Sequence, residues 1–138
     1  ADNGYRQISE EANMLGKFNT AANIAVKDLA NARKFYEETL GLTQAFPEVE
    51  GAVVMKSGDT LINVYRSEFA GTNKATSVTW AVGDEIGRIV KTLKDKGIVF
   101  EHYDMPGTTL EGDVHVGYGM KVAWFKDPDG NILNLIDQ

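Results

Sequence analysis

The sequence predicts an α+β fold built from two paired βαβββ units, and three observations carry that prediction. The chain repeats once at an offset of 56 residues, so that residues 24–42 lie over 80–98 without a gap. Val26, Asp28, Gly41 and Leu42 then fall on Val82, Asp84, Gly97 and Ile98. A second pair follows, in which residues 56–64 match 126–135 with one inserted residue. Two copies of one supersecondary unit imply a pseudo-symmetric body, with function in whatever the copies enclose.

Each element has its own signal. Residues 23–26 alternate as a strand, and Asp28 stands where a helix N-cap belongs. Leu29, Ala32, Phe35, Tyr36 and Leu40 recur at helical spacing, and Gly41 supplies the residue beyond the helix end. Strands are expected next over 42–46, 51–56 and 60–65, with Ser57, Gly58 and Asp59 turning the chain between the last two. The second copy restates this order: a strand over 75–82, a cap at Asp84, and a helix burying Ile86, Ile89, Val90 and Leu93. Gly97 ends that helix, with Lys94 and Lys96 near its negative end. Strands over 99–103, 120–125 and 132–136 complete the unit. Asp127, Pro128, Asp129 and Gly130 are turn chemistry, since proline pre-sets φ and glycine accepts a positive one. The copies differ in the longer loop of the second, residues 105–119, which is of a length that compact domains often use functionally and is placed to cover a cleft.

At 138 residues the chain is one domain's worth, enough to bury about 68–70% of its unfolded surface. The expected organisation is an N-terminal extension over 1–17, with a short capped helix over 9–15, and a single domain over 18–138. Its units span about 18–68 and 74–138, and residues 71–74 serve as the hinge of the link over 66–76. Hydrophobic residues make up 43% and charged residues 25%, an ordinary soluble composition with no apolar run long enough to span a bilayer. No signal-peptide pattern opens the sequence. There are no cysteines, so disulfides and thiolate metal sites are excluded and a cytoplasmic location is expected. A net charge of −6, with scattered Lys and Arg, argues against a nucleic-acid partner and favours cationic or neutral ligands.

Two stretches, Val-Lys-Asp-Leu-Ala-Asn-Ala-Arg-Lys-Phe-Tyr-Glu-Glu-Thr-Leu-Gly-Leu over 26–42 and Trp-Phe-Lys-Asp-Pro-Asp-Gly-Asn-Ile-Leu-Asn over 124–134, resemble the vicinal oxygen chelate superfamily. That superfamily includes glyoxalase I, extradiol dioxygenases, methylmalonyl-CoA epimerase and the bleomycin-resistance proteins. The resemblance covers about residues 20–137. It implies two curved sheets around a cleft, where metal-dependent members hold a divalent ion with His or Glu from the first and last strands of each unit. Position by position, those ligands fall on Ala21, Asn63, Ser77 and Asn134. Alanine offers no ligand and the other three only neutral oxygens, whereas a catalytic divalent site needs about three imidazole or carboxylate ligands. No metal and no cofactor is therefore expected.

Outside that pattern, the two histidines, His102 and His115, are candidates for a general base, or for an off-pattern metal pair with Glu101, Glu111 or Asp113. The alternative for them is a hydrogen-bonded strand-end histidine plus an exposed loop histidine. No nucleophile elbow, P-loop or dinucleotide fingerprint is present. Tyr65, Trp80, Tyr103, Tyr118, Trp124 and Phe125 fall on strands or on the loop, and alternation assigns Trp80 to the core. The expected ligand-binding set is Asn63, Tyr65, Ser77, Tyr103, Tyr118, Trp124 and Asn134, an aromatic wall with a few polar groups. The resulting expectation is metal-independent binding of a small organic, aromatic or cationic, molecule in the inter-unit cleft, by a homodimer as in the bleomycin-resistance branch. The alternatives are a glyoxalase-like lyase or isomerase or a dioxygenase with an atypical site, and a protein-interaction domain using residues 1–17.

Overall fold

A computed structural model describes residues 14–138. The first unit runs β1 (Ala22–Val26), α1 (Leu29–Lys34), β2 (Thr43–Gln44), β3 (Ala52–Ser57) and β4 (Thr60–Arg66). The second runs β5 (Thr76–Ala81), α2 (Ile86–Asp95), β6 (Thr109–Glu111), β7 (Val114–Gly117), β8 (Met120–Lys126) and β9 (Ile132–Ile136). Two sheets result, ordered β1-β4-β3-β2 and β5-β9-β8-β7-β6. In each, the first strand pairs in parallel with the last, Asn23 beside Asn63 and Thr79 beside Asn134. A helix crossover makes that parallel pairing possible. The expected helix over 9–15 lies mostly outside the described residues; Leu15–Lys17 form one 3₁₀ turn.

Local chemistry sets the helix ends. The Asp28 carboxylate accepts from the Asn31 N–H at 3.1 Å and caps α1. Past Lys34 the helix widens into a π-helical turn, Phe35–Thr39, and the Leu40 N–H donates to the Phe35 carbonyl at 3.0 Å. Arg33 bonds Glu37 of that stretch and clamps it to Gln44 of β2 and to Glu48 of the loop that follows. Asp84 departs from expectation. It lies inside a 3₁₀ turn, Gly83–Glu85, that leads into α2, and no side chain caps this helix. Its entry is satisfied by backbone alone.

The alternation of the strands decides which face is covered. Ile24, Val26, Val53, Met55, Ile62 and Val64 from the first sheet meet Phe125, Leu133 and Leu135 from the second. Ala32, Phe35 and Tyr36 of the first helical stretch and Ile86, Val90 and Leu93 of α2 close over them in one cluster. Each such large side chain contributes about 1.5–3 kcal/mol by burial. Asn23, Asn63, Thr79, Trp124 and Asn134 point to the opposite, helix-free face by the same alternation.

Specific bonds cross between the units. The Tyr36 hydroxyl donates to the buried Asp127 carboxylate at 2.7 Å, and the Asn131 amide donates to the Ala25 carbonyl at 2.8 Å. Lys96 donates to the carbonyls of Glu38 and Thr39, covering the open end of the first helix. No helix among the described residues is long and apolar enough to cross a membrane.

Three expected elements are corrected. The strand over 42–46 shrinks to Thr43–Gln44. The strand over 99–103 is reduced to one bridge, Glu101 with Trp124. The reason is competition for an edge, since β7 already pairs with β8 from Met120 to Val122. The long loop itself is largely a hairpin, β6 and β7 joined through Gly112 and Asp113, which extends the second sheet.

Candidate functional site

The helix-free face of the second sheet gathers most of its polar and aromatic character around one indole. Trp124 on β8 stands directly beside Asn134 on β9, whose other neighbour is Thr79 on β5. The His115 ring on β7 meets the Trp124 ring edge-on at 5.0 Å, and Tyr103 meets it at 5.3 Å. The indole N–H donates to the Thr76 hydroxyl at 3.2 Å, so Trp124 is fixed in orientation.

Three polar atoms of this cluster are buried without a partner: the Tyr103 hydroxyl, His115 Nδ1 and Asn134 Oδ1. Asn134 is 8% exposed and His115 only 2%. His115 Nε2 lies 2.9 Å from the Tyr103 backbone N–H and 3.1 Å from the Tyr103 carbonyl oxygen, so it accepts from the one or donates to the other according to the ring's tautomer. Nδ1 is left without a partner in either case. A buried polar group left unsatisfied costs about 1–3 kcal/mol, so three around one ring are a costly arrangement for a fold to keep. Tyr103 lines two grooves. One, of about 310 Å³, is lined by His102, Asp104, Met105 and His115; the other, of about 290 Å³, by Thr76, Met105, Trp124 and Ile132.

Of the seven expected ligand-binding residues, the structure brings Tyr103, Trp124 and Asn134 together. Ser77 lies at the register shift between Thr76 and Val78, beside the cluster and without a cross-strand partner of its own. Asn63 and Tyr65 lie on the corresponding face of the first sheet, where the Asn63 amide donates to Asn23 at 3.3 Å. Tyr118 stands apart, at the β7–β8 turn with φ +54°, and its hydroxyl donates to the Pro106 carbonyl. The contribution of His115 to a binding surface was not read from sequence, because its spacing to Trp124 exists only through the β7–β8 register.

The other candidates form a surface network. Asp113 pairs with His102 Nε2 and with Lys94, both at 2.7 Å, and Glu101 faces Lys126 at 3.4 Å. The His102 and His115 rings are 6.3 Å apart, yet each Nε2 is already engaged, by Asp113 and by Tyr103. Hydrogen bonds from Lys94 and then His102 hold the Asp113 carboxyl below its ordinary range. A depressed carboxyl contributes stability above its unfolded pKa, and that contribution is lost as pH falls through the folded value. Asp113→Asn is therefore expected to cost about 1 kcal/mol near neutral pH. Its thermal midpoint should begin to approach that of the parent protein as pH falls below about 4 and meet it only below the depressed folded pKa, a comparison that calorimetry at several pH values would make.

Two βαβββ units with helices over one face and an aromatic, polar cluster on the other define a paired-unit α+β protein. The chain belongs to the Glyoxalase/Bleomycin resistance protein/Dioxygenase superfamily, whose family model matches residues 17–135. It is similar in fold to a bleomycin resistance determinant encoded on the transposon Tn5, at 22% identity and a TM-score of 0.65 over 88% of this chain and 98% of that one. A bleomycin-binding protein complexed with bleomycin matches at 21% identity, TM-score 0.65, over the same shares. Lactoylglutathione lyase from Agrobacterium tumefaciens matches at 17% identity, TM-score 0.64, over 86% and 92%. At such identities the likeness shows the fold. No curated protein matches the chain.

The metal ion of some superfamily members does not fit the residues at its place. Ala21 precedes β1, Ser77 sits at an irregular register, the Asn63 amide is tied to Asn23, and Asn134 offers one neutral oxygen. No group of three or more His, Asp or Glu side chains able to hold a metal ion occurs among the described residues.

Proposed function

We propose that the chain binds a small organic molecule, without a metal ion, on the helix-free face of its second sheet around Trp124. One observation carries this reading: the unpartnered Tyr103 hydroxyl, His115 Nδ1 and Asn134 Oδ1 grouped about one indole. A ligand would lay a flat apolar body against the aromatic rings. It would offer a donor to Asn134 Oδ1, either a donor or an acceptor to Tyr103, and to His115 Nδ1 whichever of the two the ring's tautomer calls for. The aromatic walls and the net charge of −6 favour a neutral or cationic molecule over an anion at this face. The bleomycin-binding relatives support a binding role, and a homodimer in which the first sheet of a partner copy covers this face would complete the cleft.

The test is a stability trade-off. Asn134→Leu replaces an unsatisfied buried amide by an apolar side chain of similar size, so the free protein should gain about 1 kcal/mol. Compounds found by thermal shift across aromatic and cationic sets should bind that variant, and Tyr103→Phe, about tenfold more weakly. If Asn134→Leu destabilises the free protein and leaves every hit's affinity unchanged, the polar atoms serve structure and the reading fails.

A second reading rests on the 2.7 Å contact of His102 with Asp113, a base held by a carboxylate at the rim of the Tyr103 groove. It assigns the chain a lyase or isomerase activity, and His102→Ala would then abolish turnover.

A further inference from the structure

On the helix-covered side, opposite the Trp124 face, lies a cavity of about 440 Å³ between the units. Trp80, Phe125, Ile89 and Leu93 of the second unit wall it, and Lys56 and Ser57 of the first unit stand at its mouth. The internal repeat explains why it is open. The second repeat alignment places Ser57 on Asp127, and where the other boundary has the buried Tyr36 the helix facing this cavity has the buried Leu93. On one side of the pseudo-symmetry, Tyr36 fills the space between helix and turn and bonds Asp127. On the other, the helix offers the cavity only the aliphatic Ile89 and Leu93, neither of which reaches the turn with a polar group. Ser57 is left to accept from the Trp80 indole N–H at 2.9 Å. One boundary carries a plug where its mate carries a cavity.

We propose that this cavity is a second ligand site, taking a flat aromatic or branched apolar molecule with one anionic group. Its volume lies in the range of small-molecule pockets, about 300–1,000 Å³. The Trp80 and Phe125 rings stack at 6.5 Å and 23°, offering an aromatic wall. Lys56 is the single charged residue of the lining, is exposed, and forms no ion pair among the described residues. No carboxylate lines the space, so a cation would find no partner. The negative end of the first helix opens nearby, but Lys96 bonds two of its last carbonyls. The preferred charge is thus opposite to that of the Trp124 face.

The chain holds two tryptophans, so Trp124→Phe leaves Trp80 as the sole indole reporter. That variant should be titrated with 4-phenylbutyrate, 4-phenylbutanol and 4-phenylbutylamine, following indole emission. The acid should give a saturable change with Kd below about 1 mM and bind about fivefold tighter than the alcohol, with the amine weakest. Lys56→Gln should remove the fivefold preference and leave the alcohol's affinity as it was. Ile89→Phe, which fills the cavity from its wall, should abolish the response to all three; Leu93→Phe makes the same test should that variant not fold. No change in Trp80 emission with any probe, equal binding of acid and amine, or binding that persists in both filled variants would each overturn the proposal.

Discussion

Gly71→Ala is expected to cost the fold about 3–5 kcal/mol, one of the two largest losses available from a single small change. Gly71 has φ +73°, a left-handed conformation that costs an L residue about 1–2 kcal/mol. A Cβ at this position would also fall on the backbone carbonyl oxygen of Asp129, with Asp129 C only 3.1 Å away. Backbone cannot swing aside as a side chain can, and this stretch is the turn that anchors the second unit to the first. Gly58→Ala is the control: φ is +56°, but nothing lies within 4 Å of the added atom, so about 1–2 kcal/mol is expected. Urea midpoints with unchanged slopes would separate strain from collision. Equal losses at the two sites would show that the close approach at Gly71 does not exist in solution. The linker glycine expected to act as a hinge is on this view a point of contact between the linker and the second unit.

Asp127→Ala is expected to cost about 3–5 kcal/mol as well, by a different route. The carboxylate is 5% exposed and accepts four bonds, from the Tyr36 hydroxyl at 2.7 Å, the Asn131 amide at 2.8 Å, and the backbone N–H groups of Asp129 and Asn131 at 2.9 Å. Alanine would strand all four donors, two of them on side chains that reach across to or from the first unit. Burial, and then the Asp127 charge, push the Tyr36 phenol far above its ordinary range, so it remains a donor across the working pH range. Tyr36→Phe removes one donor and leaves the carboxylate three partners, and should cost about 1–2 kcal/mol. The double variant Tyr36→Phe/Asp127→Ala should lose less than the sum of the two, because the pair shares one bond. Strict additivity in denaturation would mean that the bond is not made.

These two sites also show what the sequence could and could not tell. The Asp-Pro-Asp-Gly run announced a turn through its own chemistry, and Asp28 announced a helix start that its side chain then made. Asp84 carries the same signal in the second copy and does not cap, because the chain enters α2 through a 3₁₀ turn with no unmet need that its carboxylate fills. The β6–β7 hairpin had a turn signal in Gly112 and Asp113, but strands of three and four residues are too short for alternation to register. The repeat placed Asn63 and Asn134 on equivalent strands. It could not reveal that one is tied to a neighbour while the other keeps an unpartnered oxygen. The ring cluster about Trp124 and the cavity beside Trp80 arise from pairings between distant residues, and no local pattern encodes those distances.

The parallel pairing of first strand with last in each unit has a consequence for how the chain comes to be folded. Ala22 meets Ile62, and Thr79 meets Asn134, so neither sheet can close on a locally formed hairpin. Contacts of such sequence separation must overcome loop-closure entropy before they return any stabilisation, which slows the search. During synthesis β1 therefore waits, its hydrogen-bonding edge unpaired and its apolar face uncovered, until β4 has left the ribosome. Tyr36 waits longer still, because its partner Asp127 lies 91 residues further along the chain. The interval between those two events is when an emerging chain is most exposed to a neighbour's strand edge.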